Sequence, residues 1–374
     1  MTKKVIVTGG NGQDGSYMVE YLLENTDNTV IVAIRRTSQA ILSNLKGVLD
    51  NPRVKLVTID LNDVHSITSL VRDERPDYFI NFGASAFVPD SWNSPAQVMQ
   101  TNAISLIHIL EAVRQFAPEC RVYSSGSSEQ WGNVIYTPQD EKHPPRPRSI
   151  YGVSKVAAGM ICKVYRESYG LYVVHGILLN HESERRQEHY VTRKITKGVA
   201  RIARAIKDGK PFAPLELGNL DAKRDWSHSA DFIDGIWKMI NQEEYRTPRL
   251  NASVGTDDPN VSRSILHEYV LASGETHSIR EFVEKAFSAA GIKGRWDNPM
   301  QKPDMEKYAW VPNGAYANLT FLVTVNPTFY RPADVDLLQG NASAARRELG
   351  WSPKVSFDQL VERMVRHDLA EVGL

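Results

Sequence analysis

Between Ser124 and Lys155 the chain gathers side chains that can move protons. Ser127, Ser128 and Glu129 form one short run, and Tyr151 and Lys155 stand four residues apart. On a helix that spacing puts the phenol and the ammonium on one face. A neighbouring ammonium stabilises phenolate and brings the tyrosine pKa toward neutrality, so the pair suits removal of a hydroxyl proton. Glu129 adds a carboxylate beside two hydroxyls. The same residues also fit a helix start. Ser127 and Gln130 have capping-box spacing, with Glu129 as a favourable first-turn acid.

These side chains need elements to hold them. Residues 5–8 form a β-branched run, followed by Gly9-Gly-Asn-Gly-Gln-Asp-Gly15 and an amphipathic stretch from Ser16. Strand, glycine turn and helix in that order suit a dinucleotide pyrophosphate, with Gly9, Gly12 and Gly15 letting the backbone approach. Gln13 and Asp14 lie in the same turn and are assigned with it to the cofactor. Residues 29–34 read as a second strand that ends at Arg35-Arg36. Arginines there suit a ribose 2′-phosphate, so the expected cofactor is NADP. A third strand, 54–58, leads to Asp60-Leu61, where a carboxylate can meet an adenine amino group. Further strands are expected at 78–82, 121–124 and 171–179, with helices near 63–72 and 101–116. The alternation predicts an α/β fold, a Rossmann-type doubly wound parallel sheet. Ligands collect at the carboxyl ends of such strands, where Ser127, Ser128 and Glu129 emerge. In that context Tyr151 and Lys155 take a hydroxyl proton while a nicotinamide takes a hydride.

Composition narrows the classes. Of the 374 residues, 42% are hydrophobic and 24% charged, as in ordinary globular proteins. Lys+Arg and Asp+Glu are both 44, so no basic excess points to nucleic acid or an anionic membrane. The two cysteines, Cys120 and Cys162, have neither metal-ligand spacing nor a disulfide framework. No metal site is expected. No signal peptide or membrane-length apolar run is read, so the expected location is the cytoplasm.

Longer segments carry a resemblance. They include Gly12-Gln-Asp-Gly-Ser16, Ser127-Ser-Glu129, Pro147-Arg-Ser-Ile-Tyr-Gly-Val-Ser-Lys155 and Gly176-Ile-Leu-Leu-Asn-His-Glu-Ser183. Val191-Thr-Arg-Lys-Ile195, Leu217-Gly-Asn-Leu-Asp-Ala-Lys-Arg-Asp-Trp226 and Tyr330-Arg-Pro-Ala-Asp-Val-Asp-Leu-Leu338 extend it. On these, the chain resembles the extended short-chain dehydrogenase/reductases and, within them, the GDP-mannose 4,6-dehydratase family. The resemblance implies an internal redox cycle. Tyr151 with Lys155 would deprotonate the C4 hydroxyl as NADP takes the C4 hydride. Glu129 would remove the C5 proton, Ser127 would help protonate the departing C6 hydroxyl, and the hydride would return to C6. The resemblance also assigns Ser85, His181 and Arg186 to the cofactor, and Ser128 and Asn180 to the substrate. Thr192, Arg193 and Lys194 open a helix suited to diphosphate. Lys223, Arg224, Arg331 and Asp334 complete the GDP-sugar set.

By this reading residues 1–180 form the NADP-binding domain, to which about 225–250 return. Residues 181–374 are mainly a smaller, discontinuous substrate-binding lobe, whose helices near 278–290, 342–349 and 356–369 look structural. A homotetramer, a dimer of dimers, is also implied, with 37–50 reaching a neighbouring subunit. The chain departs from the family at Ser85-Ala86-Phe87, Gln97 and Ser227. Ser85 to Phe87 follow the fourth strand, so the alternatives are a related sugar such as a GDP-heptose, or a dehydratase that also reduces its product. Segment 296–328 matches poorly and reads as a lobe insertion or an oligomer contact.

Overall fold

The computed structural model describes residues 2–37, 42–242, 268–297, 306–310, 320–330, 335 and 337–374. The chain divides into two compact units. The first comprises Met1–Leu179, Ser229–Ser273 and Gly340–Ser352; the second comprises Asn180–His228, Gly274–Gln339 and Pro353–Leu374.

In the first unit, β1 (Lys4–Thr8), β2 (Thr29–Arg35), β3 (Val54–Ile59), β4 (Tyr78–Asn81), β5 (Arg121–Ser125) and β6 (Val173–Leu178) are joined by β11 (Val270–Leu271). The seven-stranded order is β11-β6-β5-β4-β1-β2-β3, and every pairing is parallel. This is the doubly wound arrangement, with its reversal between β1 and β4. Alternate side chains serve opposite faces. Ile6, Ile31, Phe79, Val122 and Val173 pack with α2 (Val64–Glu74), α5 (Ser105–Phe116) and α6 (Ile150–Tyr169). Val5, Val7, Val30 and Val32 are equally buried and face the other way, where α1 (Gln13–Asn25) and α8 (Ser229–Ile240) pack.

Two differences from expectation have local causes. The helix predicted from 101 begins earlier, as α3 (Asp90–Asn93) and α4 (Pro95–Met99), and passes through a π-helical turn, Gln100–Ile104, into α5. The helix near 342–349, α10 (Ser343–Leu349), folds with the first unit rather than with the C-terminal lobe. Trp351 explains this: its indole N–H donates to Asp231 O at 2.8 Å and its ring meets Phe232 edge-on.

The second unit holds β7 (Asn180–Glu182) beside β10 (Trp226–His228), and β9 (Lys223–Arg224) between β12 (His277–Ser278) and β16 (Leu337–Leu338). A four-stranded sheet runs β13 (Gly294–Asp297), β14 (Lys307–Trp310), β15 (Thr320–Val325), β8 (Leu215–Leu217). So most of the described parts of the poorly matching 296–328 segment are strands of this unit's own sheet. α7 (Val191–Lys207), α9 (Ile279–Ala289) and α11 (Phe357–Glu371) close a core around Val199, Ile202, Phe282, Phe287, Leu360 and Met364. A Ser356/Gln359 capping box starts α11.

Candidate active site

The glycine turn is shaped for close approach. Gly9 has φ +64°, and a Cβ on Gly15 would lie 2.3 Å from Gly9 O. Gly12 is the N-cap of α1 and gives the first turn no side-chain acceptor. A backbone so stripped of side chains fits a pyrophosphate. Asp14 is held from behind, accepting from Ser229 Oγ at 2.7 Å and Gln13 Nε2 at 3.1 Å. Arg35 and Arg36 are exposed at the end of β2. Among the described residues neither guanidinium is ion-paired. Asp60 is exposed and its carboxylate accepts from Asn62 N at 2.9 Å. Leu61 lies against Gly83, just beyond β4.

Ser85 is clamped by a residue that sequence reasoning missed. Asn102 sits in the π-helical turn and is buried. Its Oδ1 accepts from Ser85 N at 2.8 Å, and its Nδ2 donates to Ser85 O at 3.1 Å and Ser154 Oγ at 3.0 Å. Ser154 Oγ then donates to Tyr151 O at 2.7 Å. The segment after β4 and the helix carrying Tyr151 are thus tied through one amide. A π-turn inside an otherwise helical pattern leaves no mark in hydrophobic spacing, which is why Asn102 was not legible.

Ser127, Glu129, Tyr151 and Lys155 all belong to the first unit. Ser127 caps a short 3₁₀ turn, Ser128–Gln130, and accepts from Glu129 N at 3.3 Å. Ser127 is thus an N-cap through this one bond. Ser149 caps α6, accepting from Gly152 N at 3.0 Å, so the helix starts one residue before Tyr151. A Cβ on Gly152 would lie 2.6 Å from Glu129 O. That close approach brings the Glu129 turn against the first turn of α6. Tyr151 and Lys155 are 8% and 5% exposed. The ammonium sits 5.7 Å from the Tyr151 ring centroid and donates to Ser125 O at 2.7 Å. Burial pulls the Lys155 pKa down to about 8, opposed by the Asp14 carboxylate. A desolvated ammonium acts strongly on an adjacent phenolate, because little water screens it.

The second unit uses its expected ligand residues differently. Asn180 opens β7, and its Oδ1 is buried without a hydrogen-bond donor among the described residues. His181 follows, in register with Ser227 of β10. Arg186 forms an ion pair with Glu182 at 3.0 Å and lies 3.6 Å over the Tyr190 ring. Thr192 is buried and donates to Glu182 Oε2 at 2.8 Å. Arg193 is buried against Asp368 of α11, an ion pair enclosed on both sides. Both face inward and are engaged in holding the unit. Glu182, which gathers Arg186 and Thr192, was not singled out from sequence. Lys194 is half-buried over the Phe329 ring at 3.8 Å. Burial lowers its pKa, against the pull of Glu216. Lys223 is exposed, whereas Arg224 is buried with Nη1 on Lys223 O at 2.8 Å. Arg331 and Asp334 lie outside the described residues.

The sequence profile described as GDP-mannose 4,6 dehydratase matches residues 6–254 and 260–364. A GDP-mannose 4,6 dehydratase of Drosophila melanogaster is 37% identical over 98% of this chain and 86% of its own length. A GDP-mannose 4,6-dehydratase of Vibrio cholerae serotype O1 is 35% identical over 99% of this chain and 95% of its own. Among solved structures, a dTDP-glucose 4,6-dehydratase of Streptomyces venezuelae superposes with a TM-score of 0.74 at 21% identity. It covers 97% of this chain and 96% of its own, and shows the same fold. By its sequence, the chain belongs to the GDP-mannose 4,6-dehydratase family.

Proposed function

We propose that the protein converts GDP-mannose to GDP-4-keto-6-deoxymannose and water, through an internal NADP-dependent redox cycle. The observation that carries this reading is the approach of the Glu129 turn to the start of α6, beside a buried Tyr151–Lys155 pair. Tyr151 and Lys155 alone suit a dehydrogenase or reductase. A carboxylate on the adjoining turn adds the base that elimination requires.

The glycine turn, which a Cβ at Gly15 would fill, fits a dinucleotide, and exposed Arg35 and Arg36 favour the 2′-phosphate of NADP over NAD. When bound, the cofactor supplies a hydride acceptor for C4 and the donor for C6. Tyr151 takes the C4 hydroxyl proton, its phenolate held by Lys155. Glu129 removes the C5 proton, which the new ketone acidifies. Ser127 helps protonate the C6 hydroxyl, which leaves as water, and a second proton returns to C5 as the hydride reaches C6, so the protons taken by Tyr151 and Glu129 are both given back. Asn180, Lys194, Lys223 and Arg224 are the second unit's candidates for the GDP-sugar, with Arg331 and Asp334 in the same reading. Ser128 joins the substrate side; His181 and Arg186 join the cofactor side.

Self-association as a homotetramer belongs to the same proposal. Val153, Met160 and Val164 line one outer face of α6 and are 39%, 52% and 54% exposed, an apolar stripe suited to a second copy. Among the described residues no helix is long and apolar enough to cross a membrane, and the cytoplasm remains the proposed location. The departures at Ser85 to Phe87 favour one second reading, a related sugar such as a GDP-heptose. Incubation with GDP-mannose and NADP, followed by mass spectrometry, tests the proposal. A product lighter by one water is expected. Turnover of another nucleotide sugar, with GDP-mannose untouched, overturns the substrate assignment.

A further inference from the structure

His175 is an enclosed titratable side chain that the steps above do not use. It lies on β6 opposite Ser124 of β5, with Nδ1 3.3 Å from Ser124 Oγ. Its Nε2 is buried and has no hydrogen-bond partner among the described residues. An orphaned buried nitrogen is unfavourable. Shape therefore holds the ring more than polarity does.

Two glycines make that shape. A Cβ on Gly126 would lie 2.6 Å from His175 Nε2, and one on Gly159 would lie 3.1 Å from Cδ2. Gly126 directly follows Ser125, whose carbonyl receives Lys155 Nζ. Gly159 lies one turn beyond Lys155 on α6. The imidazole thus fills the space between the strand end that binds the ammonium and the helix that carries it. Its charged and titratable neighbours come from α6. Burial, with Lys155 and Arg166, pushes His175 down to about 3, and burial pushes the Cys162 thiol up to about 12. Lys155 in turn faces Asp14 of α1, Ser125 of β5 and Tyr151 on its own helix.

We propose that His175 is a positioning residue for the Tyr151–Lys155 pair: its neutral ring fills the slot between Gly126 and Gly159, fixes Lys155 Nζ on the Ser125 carbonyl and keeps water from it. The proposal rests on the acid–base reading of that pair. Its test reads Lys155 without any substrate, through the ¹³C NMR titration of the Lys155 side chain. The midpoint expected for the wild type is near 8. In His175→Ala, water reaches the ammonium and the midpoint moves toward the ordinary 10.5, by about one unit or more. His175→Leu, which refills the slot without a titrating group, returns it to the wild-type position. Gly159→Ala keeps every side chain but displaces the ring, and kcat falls about tenfold through misplacement of the pair. Identical midpoints in the wild type and His175→Ala overturn the proposal. Should His175→Ala not fold, Gly159→Ala decides: an unmoved midpoint with an unmoved kcat overturns it. Failure of the wild type to turn over GDP-mannose overturns the substrate reading and leaves the NMR arm intact.

Discussion

In the first unit the buried cation of the site, Lys155, donates to a backbone carbonyl; in the second, the buried cation Arg193 is locked to a buried carboxylate, Asp368. In the proposed mechanism, the first arrangement leaves the charge available to a phenolate four residues away. The second neutralises it and fastens α7 to α11. Both stretches looked alike as sequence, each a basic residue at the start of a helix in a family-like motif. The difference lies in the partner, and the partner decides between chemistry and architecture.

The largest effect that tests this contrast is at Glu129. Glu129→Gln keeps the hydrogen-bonding shape and removes the base. Dehydration is expected to fall by about 10²–10⁴, while NADP binding, measured by calorimetry, survives. Near-normal turnover refutes the role given to Glu129. Next come the two neighbours on α7. Arg193→Met leaves the buried Asp368 charge with only the more distant Lys197, at 4.0 Å, and should lower unfolding stability by about 3 kcal/mol. Denaturant titration measures this, and the double variant Arg193→Met/Asp368→Leu should recover most of it. Lys194→Ala should do the reverse. Stability stays near that of the wild type, but GDP affinity falls about tenfold, as expected for loss of a charged hydrogen bond. If Arg193→Met weakens GDP binding at unchanged stability, the division between the two residues is wrong.

The pH dependence is a gentler probe. The Lys155 pKa is lowered from 10.5 to about 8. Below about 8 the ammonium is charged and supports the phenolate; above it the charge is lost, so kcat/KM should decline on the alkaline side. Between about 8 and 10.5 the unfolded chain holds a proton that the folded protein has released, so this group makes stability rise with pH in that window. The smallest effect is at the cap. Ser149→Ala removes the acceptor for Gly152 N and should lower stability by about 1 kcal/mol, with a modest drop in kcat because Tyr151 lies in the frayed turn.

Much of the first unit was legible because its signals are local. β-branched runs, a glycine turn and the Tyr151–Lys155 spacing each lie within a few residues, and the parallel sheet follows from their alternation. What escaped was set by distant partners or by irregular backbone. The π-turn that delivers Asn102 to Ser85 breaks no hydrophobic pattern. The Arg193–Asp368 pair joins residues 175 apart in the chain, and nothing near Arg193 announces an acid on the last helix. Trp351 draws α10 to the first unit through a single indole hydrogen bond and an aromatic edge, again invisible in the periodicity of 342–349.

In the proposed cycle one window performs both the redox and the elimination steps on a single sugar. GDP-mannose carrying deuterium at C4 tests it most directly, with the product examined by mass spectrometry and NMR. The expected product has lost one water and carries the deuterium at C6. A 4-keto product that keeps its C6 hydroxyl, or a dehydrated product with no label at C6, would contradict it.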